Sequence, residues 1–147
     1  MRWECREFGE LGARQLYEIL GLRQRVFVVE QNCVYLDADG LDERASHLYA
    51  QDDDGTIAAY ARFFAPGSYR DEAVIGRVLT APAVRGSGIG RELMRRAIDT
   101  IEERHVAAVI WIGAQKYLQL FYESFGFVRD GEDYVEDGIV HLPMRRR

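Results

Sequence analysis

The chain is poor in cysteine, in excess positive charge and in long apolar runs. Its two cysteines, Cys5 and Cys33, form no CxxC pair and no metal-binding spacing with histidine, so we expect free thiols and no metal site. The longest apolar run, residues 106–112, is far shorter than the roughly 20 residues that cross a bilayer. Charged residues interrupt the apolar residues near the N-terminus, so the sequence shows no signal-peptide pattern. We therefore expect a cytoplasmic protein without a membrane partner.

The charge balance is acidic, with a formal net charge of -5 and a pI near 5.2. Affinity for nucleic acid comes mainly from clustered Lys and Arg, so no nucleic-acid partner is expected. The basic run of residues 145–147 is interpreted as a solvated tail. A length of 147 residues, without repeats or a linker, predicts a single domain over residues 1–147.

Apolar periodicity predicts a mixed order of strands and helices. Acidic, glycine-containing turns at residues 52–55 and 136–138 indicate two hairpins. The sequence thus predicts an α/β (α+β) fold, with a mixed, mostly antiparallel sheet of six to seven strands and helices on both faces. The predicted strands are residues 3–8, 47–51, 56–65, 74–80, 106–112, 127–134 and 139–144, and the predicted helices are residues 11–30, 89–104 and 115–125.

The run Arg85-Gly86-Ser87-Gly88-Ile89-Gly90 follows a predicted strand and opens a predicted helix. Closely spaced glycines let main-chain N–H groups approach a ligand, and the helix dipole adds positive charge, so the run predicts a pyrophosphate cradle. A P-loop is excluded because no Lys-Ser or Lys-Thr pair follows. A dinucleotide fingerprint is excluded because its third glycine is replaced by Arg91 or Leu93.

The run resembles the Arg/Gln-x-x-Gly-x-Gly/Ala signature of the GNAT acyltransferase superfamily, the acetyl-CoA-dependent N-acetyltransferases. Residues 22–31 resemble the first helix of many members, and residues 121–127 resemble the corner that ends the cofactor site. The predicted order of elements is also similar to theirs. Residues 29–33, 114–115 and 137–141 resemble the ElaA branch most.

The resemblance implies acetyl-CoA as co-substrate, with the pantetheine arm between two strands that splay apart, residues 74–80 and 106–112. It also implies that Tyr122 protonates the departing thiolate, although a packed aromatic role stays open. Near the end of the central strand, where many family members have Asn, this chain has Ala114-Gln115 and so departs from the family's pattern. The implied cofactor contacts are the main chain of Val78, Leu79 and Thr80, the pyrophosphate cradle of Arg85, Gly86, Ser87, Gly88, Ile89, Gly90 and Arg91, and Gln115 and Phe121.

The group that deprotonates the acceptor amine is not singled out by the sequence. Glu30, His47 and His141 are the candidates, and a structural role is an alternative for each histidine. The acidic stretch with Asp37 and Asp39 predicts either a rim that attracts a cation or a solvated loop. It does not match an EF-hand, because residue 42 is Asp42 where glycine is required.

These features favour an enzyme that transfers acetyl directly to a primary amine of a small molecule or peptide. Direct transfer is expected because neither cysteine falls in a cofactor motif. A non-catalytic acyl-CoA-binding sensor or docking module is the alternative, and a phosphate-transfer enzyme is a more remote one. The acceptor's identity and a possible homodimer stay open.

Overall fold

The computed structural model describes residues 1–147 and contains one eight-stranded sheet with three α-helices. The strand order is β1-β2-β3-β4-β5-β8-β6, with β7 also paired to β8. Only β4 and β5 run parallel, which confirms the mixed, mostly antiparallel sheet. The strands are β1 (Arg2–Glu7), β2 (Ser46–Gln51), β3 (Ile57–Phe64), β4 (Ala73–Thr80), β5 (Ile110–Gln115), β6 (Val128–Arg129), β7 (Tyr134–Glu136) and β8 (Ile139–Arg146). The helices are α1 (Ala13–Arg23), α2 (Ile89–Arg104) and α3 (Gln119–Glu123).

Helices cover both faces of this sheet, as predicted. Successive side chains of a strand point to opposite faces. On β2, Leu48 packs in the core that includes α2, whereas Tyr49 packs in the core beneath α1. The second of these cores also contains Ile19 and Leu22 of α1. None of the helices combines the length and the apolar character that crossing a bilayer requires.

The best-predicted element is α2, whose bounds agree with the periodicity and whose apolar stripe is buried. The strand predicted at residues 106–112 is wrong in position, because β5 begins at Ile110. Val106 is 89% exposed, and Ala107 has a φ of +60°. The apolar run therefore spans the turn that leaves α2 as well as the start of β5.

Two other predicted elements are divided in the structure. The helix predicted at residues 11–30 is α1 followed by π-helical turns over Gln24–Glu30. The strand predicted at residues 127–134 is split into β6 and β7 by a loop, which raises the strand count to eight. The two predicted hairpins are confirmed, since β2 pairs with β3 and β7 pairs with β8 in antiparallel register.

β4 and β5 pair at only two positions before they diverge, Ala73 with Ile110 and Val74 with Trp111. Beyond them β4 is irregular against β3 too, because one residue of β3 opposes two of β4 between the pairs Arg62–Gly76 and Tyr60–Leu79. Such a bulge bends a strand and increases its twist. The bulge contains Arg77, a non-glycine residue with a φ of +50°. The divergence opens a gap in the middle of the sheet.

An Arg–Asp cluster joins this bulge to the loop that precedes β2. The carboxylate of Asp37 accepts from Arg23 Nε at 2.8 Å and from Arg77 Nε at 2.9 Å. Its main-chain carbonyl accepts from the same two guanidinium groups at 2.9 and 3.1 Å. Arg62 pairs with Asp39 and Asp42. The expectation of a cation-attracting rim or a solvated loop is therefore wrong, because these carboxylates are already neutralised.

We expect Arg23→Met to lower the free energy of unfolding by about 3–5 kcal/mol. Arg23 is fully buried, and its loss leaves the buried carboxylates of Asp37 and Asp42 short of a partner. Arg96→Met removes an exposed i,i+4 pair with Glu92 and should cost about 0.5 kcal/mol or less. Urea unfolding measures both, and equal losses would contradict a structural role for the cluster.

The cluster also predicts a loss of stability in acid. Burial alone raises the pKa of Asp39, but the hydrogen bonds and charge of Arg62 outweigh it and hold that pKa well below its usual value. A lowered folded-state pKa stabilises fully above the ordinary aspartate pKa of about 3.9, and this stabilisation is lost as the pH falls through the folded value.

The free energy of unfolding should therefore decrease as the pH falls below about 4, and Asp39→Asn should flatten this dependence. Urea unfolding between pH 7 and the acid limit is the measurement, with the exposed Asp99→Asn as control. An unchanged slope in Asp39→Asn would contradict the assignment.

Candidate functional site

A cavity of about 790 Å³ lies where β4 and β5 diverge. Its walls come from both strands, the π-helical turns, the loop after them, α3, and the hairpin of β7 and β8. The gap therefore brings together residues that are far apart in the chain. The predicted site residues that line it are Glu30, Val78, Leu79, Thr80, Arg85, Gly90, Gln115, Phe121, Tyr122 and His141.

The glycine-rich run forms a groove of about 210 Å³ that adjoins this cavity. Gly86 and Gly88 have φ values of +82° and +85°, which glycine adopts without strain from a Cβ atom. α2 begins directly after Gly88 without a side-chain cap, and the main-chain N–H groups of residues 88–91 donate to no protein acceptor. Free donors at the positive end of a helix dipole suit an anion such as pyrophosphate.

The groove contains all but one of the predicted cradle residues. Ser87 lines neither space, and its hydroxyl donates to the main-chain carbonyl of Val84. Four residues line both spaces, which makes groove and cavity continuous. The residues of the groove are Thr80, Arg85, Gly86, Gly88, Ile89, Gly90, Arg91 and Phe121, of which Thr80, Arg85, Gly90 and Phe121 also line the cavity.

Arg85 is ion-paired with Glu30 across the mouth of the groove. Its guanidinium donates to both carboxylate oxygens of Glu30, one of them at 3.0 Å, and to the main-chain carbonyl of Thr80 at 3.2 Å. The hydrogen bond from Arg85 lowers the pKa of Glu30. A carboxylate with a lowered pKa is a weak proton acceptor, so the ion pair with Arg85 disfavours Glu30 as a base.

Tyr122 is buried in the cavity wall, where the edges and faces of other aromatic rings enclose it. Its ring centroid lies 5.2 Å from that of Phe121 and 6.2 Å from that of Phe127, both in edge-to-face orientation. Burial raises the pKa of Tyr122 above its usual value. Tyr122 lines the cavity, and its hydroxyl makes no hydrogen bond within the protein. The phenol therefore stays protonated and available to a ligand.

His141 is the histidine that the structure brings to the cavity. Its Nδ1 lies 2.8 Å from the main-chain carbonyl of Ile139, so Nδ1 carries the hydrogen and Nε2 is left as an acceptor. Nε2 lies 3.9 Å from a carboxylate oxygen of Glu136. The ring stacks on Tyr134, with centroids 5.6 Å apart. His141 thus has an orienting hydrogen bond and a free basic nitrogen.

His47 does not reach the cavity, which corrects its expected role as a base. The side chain is fully buried, with Nδ1 at 2.7 Å from the Tyr60 hydroxyl and Nε2 at 2.9 Å from the main-chain carbonyl of Asp42. Burial lowers its pKa, so it is a neutral histidine. Both ring nitrogens are occupied within the protein, and His47 has a structural role.

Gln115 faces the cavity and exchanges two hydrogen bonds with Gln31 at 3.2 and 3.3 Å. This amide pair ties the end of the π-helical turns to the end of β5. Cys33 also lines the cavity, although the sequence analysis placed no cysteine near the site. Its thiol donates to the main-chain carbonyl of Asp137 at 3.2 Å. Both Cys33 and Cys5 are free.

Arg77, Trp111 and Tyr134 are among the cavity residues that the sequence did not single out. No motif marks them, and each depends on tertiary contacts. The spacing between Trp111 and Gly113 is a weak signal, because a glycine inside a strand often marks the close approach of another group.

Known proteins resemble this chain along its length. A family model described as "Acetyltransferase (GNAT) domain" matches residues 12–147. The chain is 40% identical to protein ElaA of Escherichia coli over 148 residues, which covers 99% of this chain and 96% of the other. It is similar to the crystal structure of an acyl-CoA N-acyltransferase from Pseudomonas aeruginosa, with a TM-score of 0.95, 40% identity and 100% of both chains covered. Its TM-score to the crystal structure of Escherichia coli ElaA is 0.92, with 40% identity and 99% of both chains covered.

We expect substitutions at Arg85 and at Glu30 to change the affinity for CoA in opposite directions. Arg85→Met removes a cation beside the groove and should weaken CoA binding about tenfold or more. Glu30→Gln removes a negative charge from the same place and frees Arg85, which should tighten binding by up to about fivefold. Isothermal titration with CoA is the measurement, and Glu18→Gln on the exposed face of α1 is the control. Equal weakening by both substitutions would contradict this arrangement.

Proposed function

Because this chain belongs to the GNAT acetyltransferase superfamily, within its ElaA branch, we propose that it transfers acetyl from acetyl-CoA directly to a primary amine of a small molecule or peptide. One observation carries the proposal. Residues of the cradle, Tyr122 and His141 line two adjoining spaces, which are continuous with each other where β4 and β5 diverge. Acyl transfer from a phosphorylated thioester uses an anion site for the donor, a proton donor for the leaving group and a base for the attacking amine.

The donor half of the site is supported by the cradle and the diverging strands. Acetyl-CoA would supply the acyl group already activated as a thioester. In this proposal the free N–H groups of residues 88–91 and the Arg85 guanidinium hold the pyrophosphate. The pantetheine amides pair with the main chain of Val78, Leu79 and Thr80, as an added strand pairs with a sheet edge. Gln115 and Phe121 form the wall on the β5 side.

The chemical half depends on proton transfers by two residues of this chain. His141 Nε2 removes a proton from the acceptor's ammonium, and the free amine forms the new C–N bond to the acetyl carbon. Main-chain N–H groups at the bulge of β4 stabilise the negative charge on the acetyl oxygen. As the C–S bond breaks, Tyr122 donates its hydroxyl hydrogen to the departing sulfur, and the nitrogen of the new C–N bond gives its second proton to the resulting phenolate. A raised pKa keeps that hydrogen on the phenol at neutral pH.

Direct transfer is retained in this proposal although Cys33 lines the cavity. The hydrogen-bond partners of the thiol are main-chain carbonyls, whereas a nucleophilic cysteine is activated by a neighbouring base. We accordingly expect the Cys33→Ala variant to turn over acetyl-CoA as fast as the parent protein does. A cytoplasmic location is also part of the proposal, and the two free cysteines are consistent with a reducing compartment.

We expect Tyr122→Phe and His141→Gln each to lower kcat by about 10²-fold or more, with CoA affinity unchanged. The assay incubates acetyl-CoA with a panel of primary amines and follows the release of free thiol. Tyr17→Phe and His105→Gln are matched controls, because neither residue lines the cavity.

CoA binding without turnover on any amine would favour the acyl-CoA sensor instead. Loss of turnover in Cys33→Ala, with a trapped acetyl-enzyme in the parent protein, would contradict direct transfer.

A further inference from the structure

Four of the aromatic side chains that line the cavity form a connected row, which we call the aromatic wall: Tyr134, Trp111, Phe64 and Tyr69. Phe64 and Tyr69 contact each other with ring centroids 5.3 Å apart. Tyr134 stacks directly on His141. The wall therefore begins at the ring that carries the proposed base, and none of its four residues lines the groove of the cradle.

Gly113 of β5 makes room for this wall. A Cβ atom built on Gly113 would lie 2.5 Å from the Tyr134 hydroxyl oxygen and 3.2 Å from Cη2 of Trp111. Gly113 does not have a positive φ, so space and not backbone conformation requires glycine here. Two aromatic side chains from β5 and β7 thus converge on the main chain of the central strand, beside the cavity.

The charges around this end leave no free cation for an acidic ligand. Among the residues that line the cavity, the arginines are Arg62, Arg77 and Arg85, and each is paired with a carboxylate. Arg70 stacks on Trp111 at 4.0 Å but does not line the cavity. A carboxylate or phosphate on the acceptor would therefore lose its hydration without gaining an ion pair.

Two of the carboxylates that line the cavity have no arginine partner. They lie beside the Tyr134 end of the aromatic wall, and Phe64 lies farther along it. Glu136 and Asp137 are adjacent in the hairpin between β7 and β8, and Glu136 is the closer group to His141 Nε2. These two neighbouring carboxylates offer a negatively charged place for an ammonium group at this end of the wall only. Farther along the wall, Asp39 is already bound by Arg62 and Arg77, so a second ammonium finds no free carboxylate there.

We propose that the acceptor is a primary amine carried on a flat apolar body, in chemical terms an arylalkylamine. The ring packs on the aromatic wall, and the amine lies between Glu136 and His141 Nε2. Burying a ring in an aromatic pocket stabilises through apolar area and ring packing. Trp111, Tyr134 and the space at Gly113 are then the determinants of specificity. This inference rests on the proposed function and goes beyond it by naming the acceptor class.

The test compares kcat/KM for amines that differ in one feature. 2-Phenylethylamine should exceed n-propylamine by about tenfold or more, the factor expected for burying a phenyl ring. Phenylalanine has the same ring and an added carboxylate, and it should be at least about tenfold poorer than 2-phenylethylamine. Spermidine and glucosamine should also be poorer. Faster turnover of spermidine, glucosamine or phenylalanine would overturn the inference.

Matched variants separate the wall from the chemistry. Tyr134→Ala should remove the preference for 2-phenylethylamine over n-propylamine, whereas Tyr134→Phe should keep it, because the ring remains. Gly113→Ala should also reduce the preference by displacing Tyr134 and Trp111. CoA affinity measured on each variant shows that it is folded. An equal loss on both amines in Tyr134→Ala would overturn the inference.

A binding measurement distinguishes this inference from the proposed function. Isothermal titration of 2-phenylethylamine and n-propylamine into the protein saturated with CoA reports acceptor binding without turnover. Preferential binding of 2-phenylethylamine without turnover on any amine would support the aromatic site and contradict the enzyme. Turnover of amines without any preference for the aromatic one would support the enzyme and contradict the aromatic site.

Discussion

The divergence of β4 from β5 after two residue pairs is the constraint on which the rest of the site depends. Strands that part within a sheet leave main-chain donors and acceptors that a ligand can pair with, and they open space in an otherwise packed core. The bulge at Arg77 bends β4 at this point, and a non-glycine residue with positive φ is unfavourable by itself. Hydrogen bonds from the Arg77 guanidinium to Asp37 and Asp39 hold it there, so the loop before β2 and the bulge stabilise each other.

The charged side chains around this gap act mainly within the protein. Of the 19 Lys and Arg residues only Lys116 is a lysine, and the buried pairs all use arginine. A planar guanidinium donates to a carboxylate and a carbonyl at once, as Arg23 and Arg77 both do with Asp37. In the proposed acceptor site, the neutralised cluster leaves recognition of the acceptor to the aromatic side chains and the hairpin carboxylates. The cradle, by contrast, keeps its unpaired N–H groups for the donor.

Local patterns predicted those parts of the molecule whose geometry is local. Glycines at 86 and 88 adopt the left-handed conformation that the motif requires, and α2 follows with its apolar stripe buried. The two hairpins form at their acidic, glycine-containing turns. The run at residues 106–112 failed as a strand because apolar character continues through a turn, and residue type alone does not show where the chain bends. The acidic loop failed because its arginine partners come from α1, β3 and β4.

The sequence by itself determined the family, the mixed sheet, the cradle and its following helix, since glycine conformation and helical periodicity act over a few residues. Only the tertiary structure decided which candidate base faces the gap. His47 and His141 are both strand histidines, but His47 lies on β2 between β1 and β3, with its nitrogens bound to Tyr60 and Asp42. His141 lies on β8 opposite Gln115 and Tyr134, at the end of β5. Strand order and register bring together residues that are distant in the chain. The resulting contacts determine which histidine keeps a free ring nitrogen and which aromatic ring lies beside it.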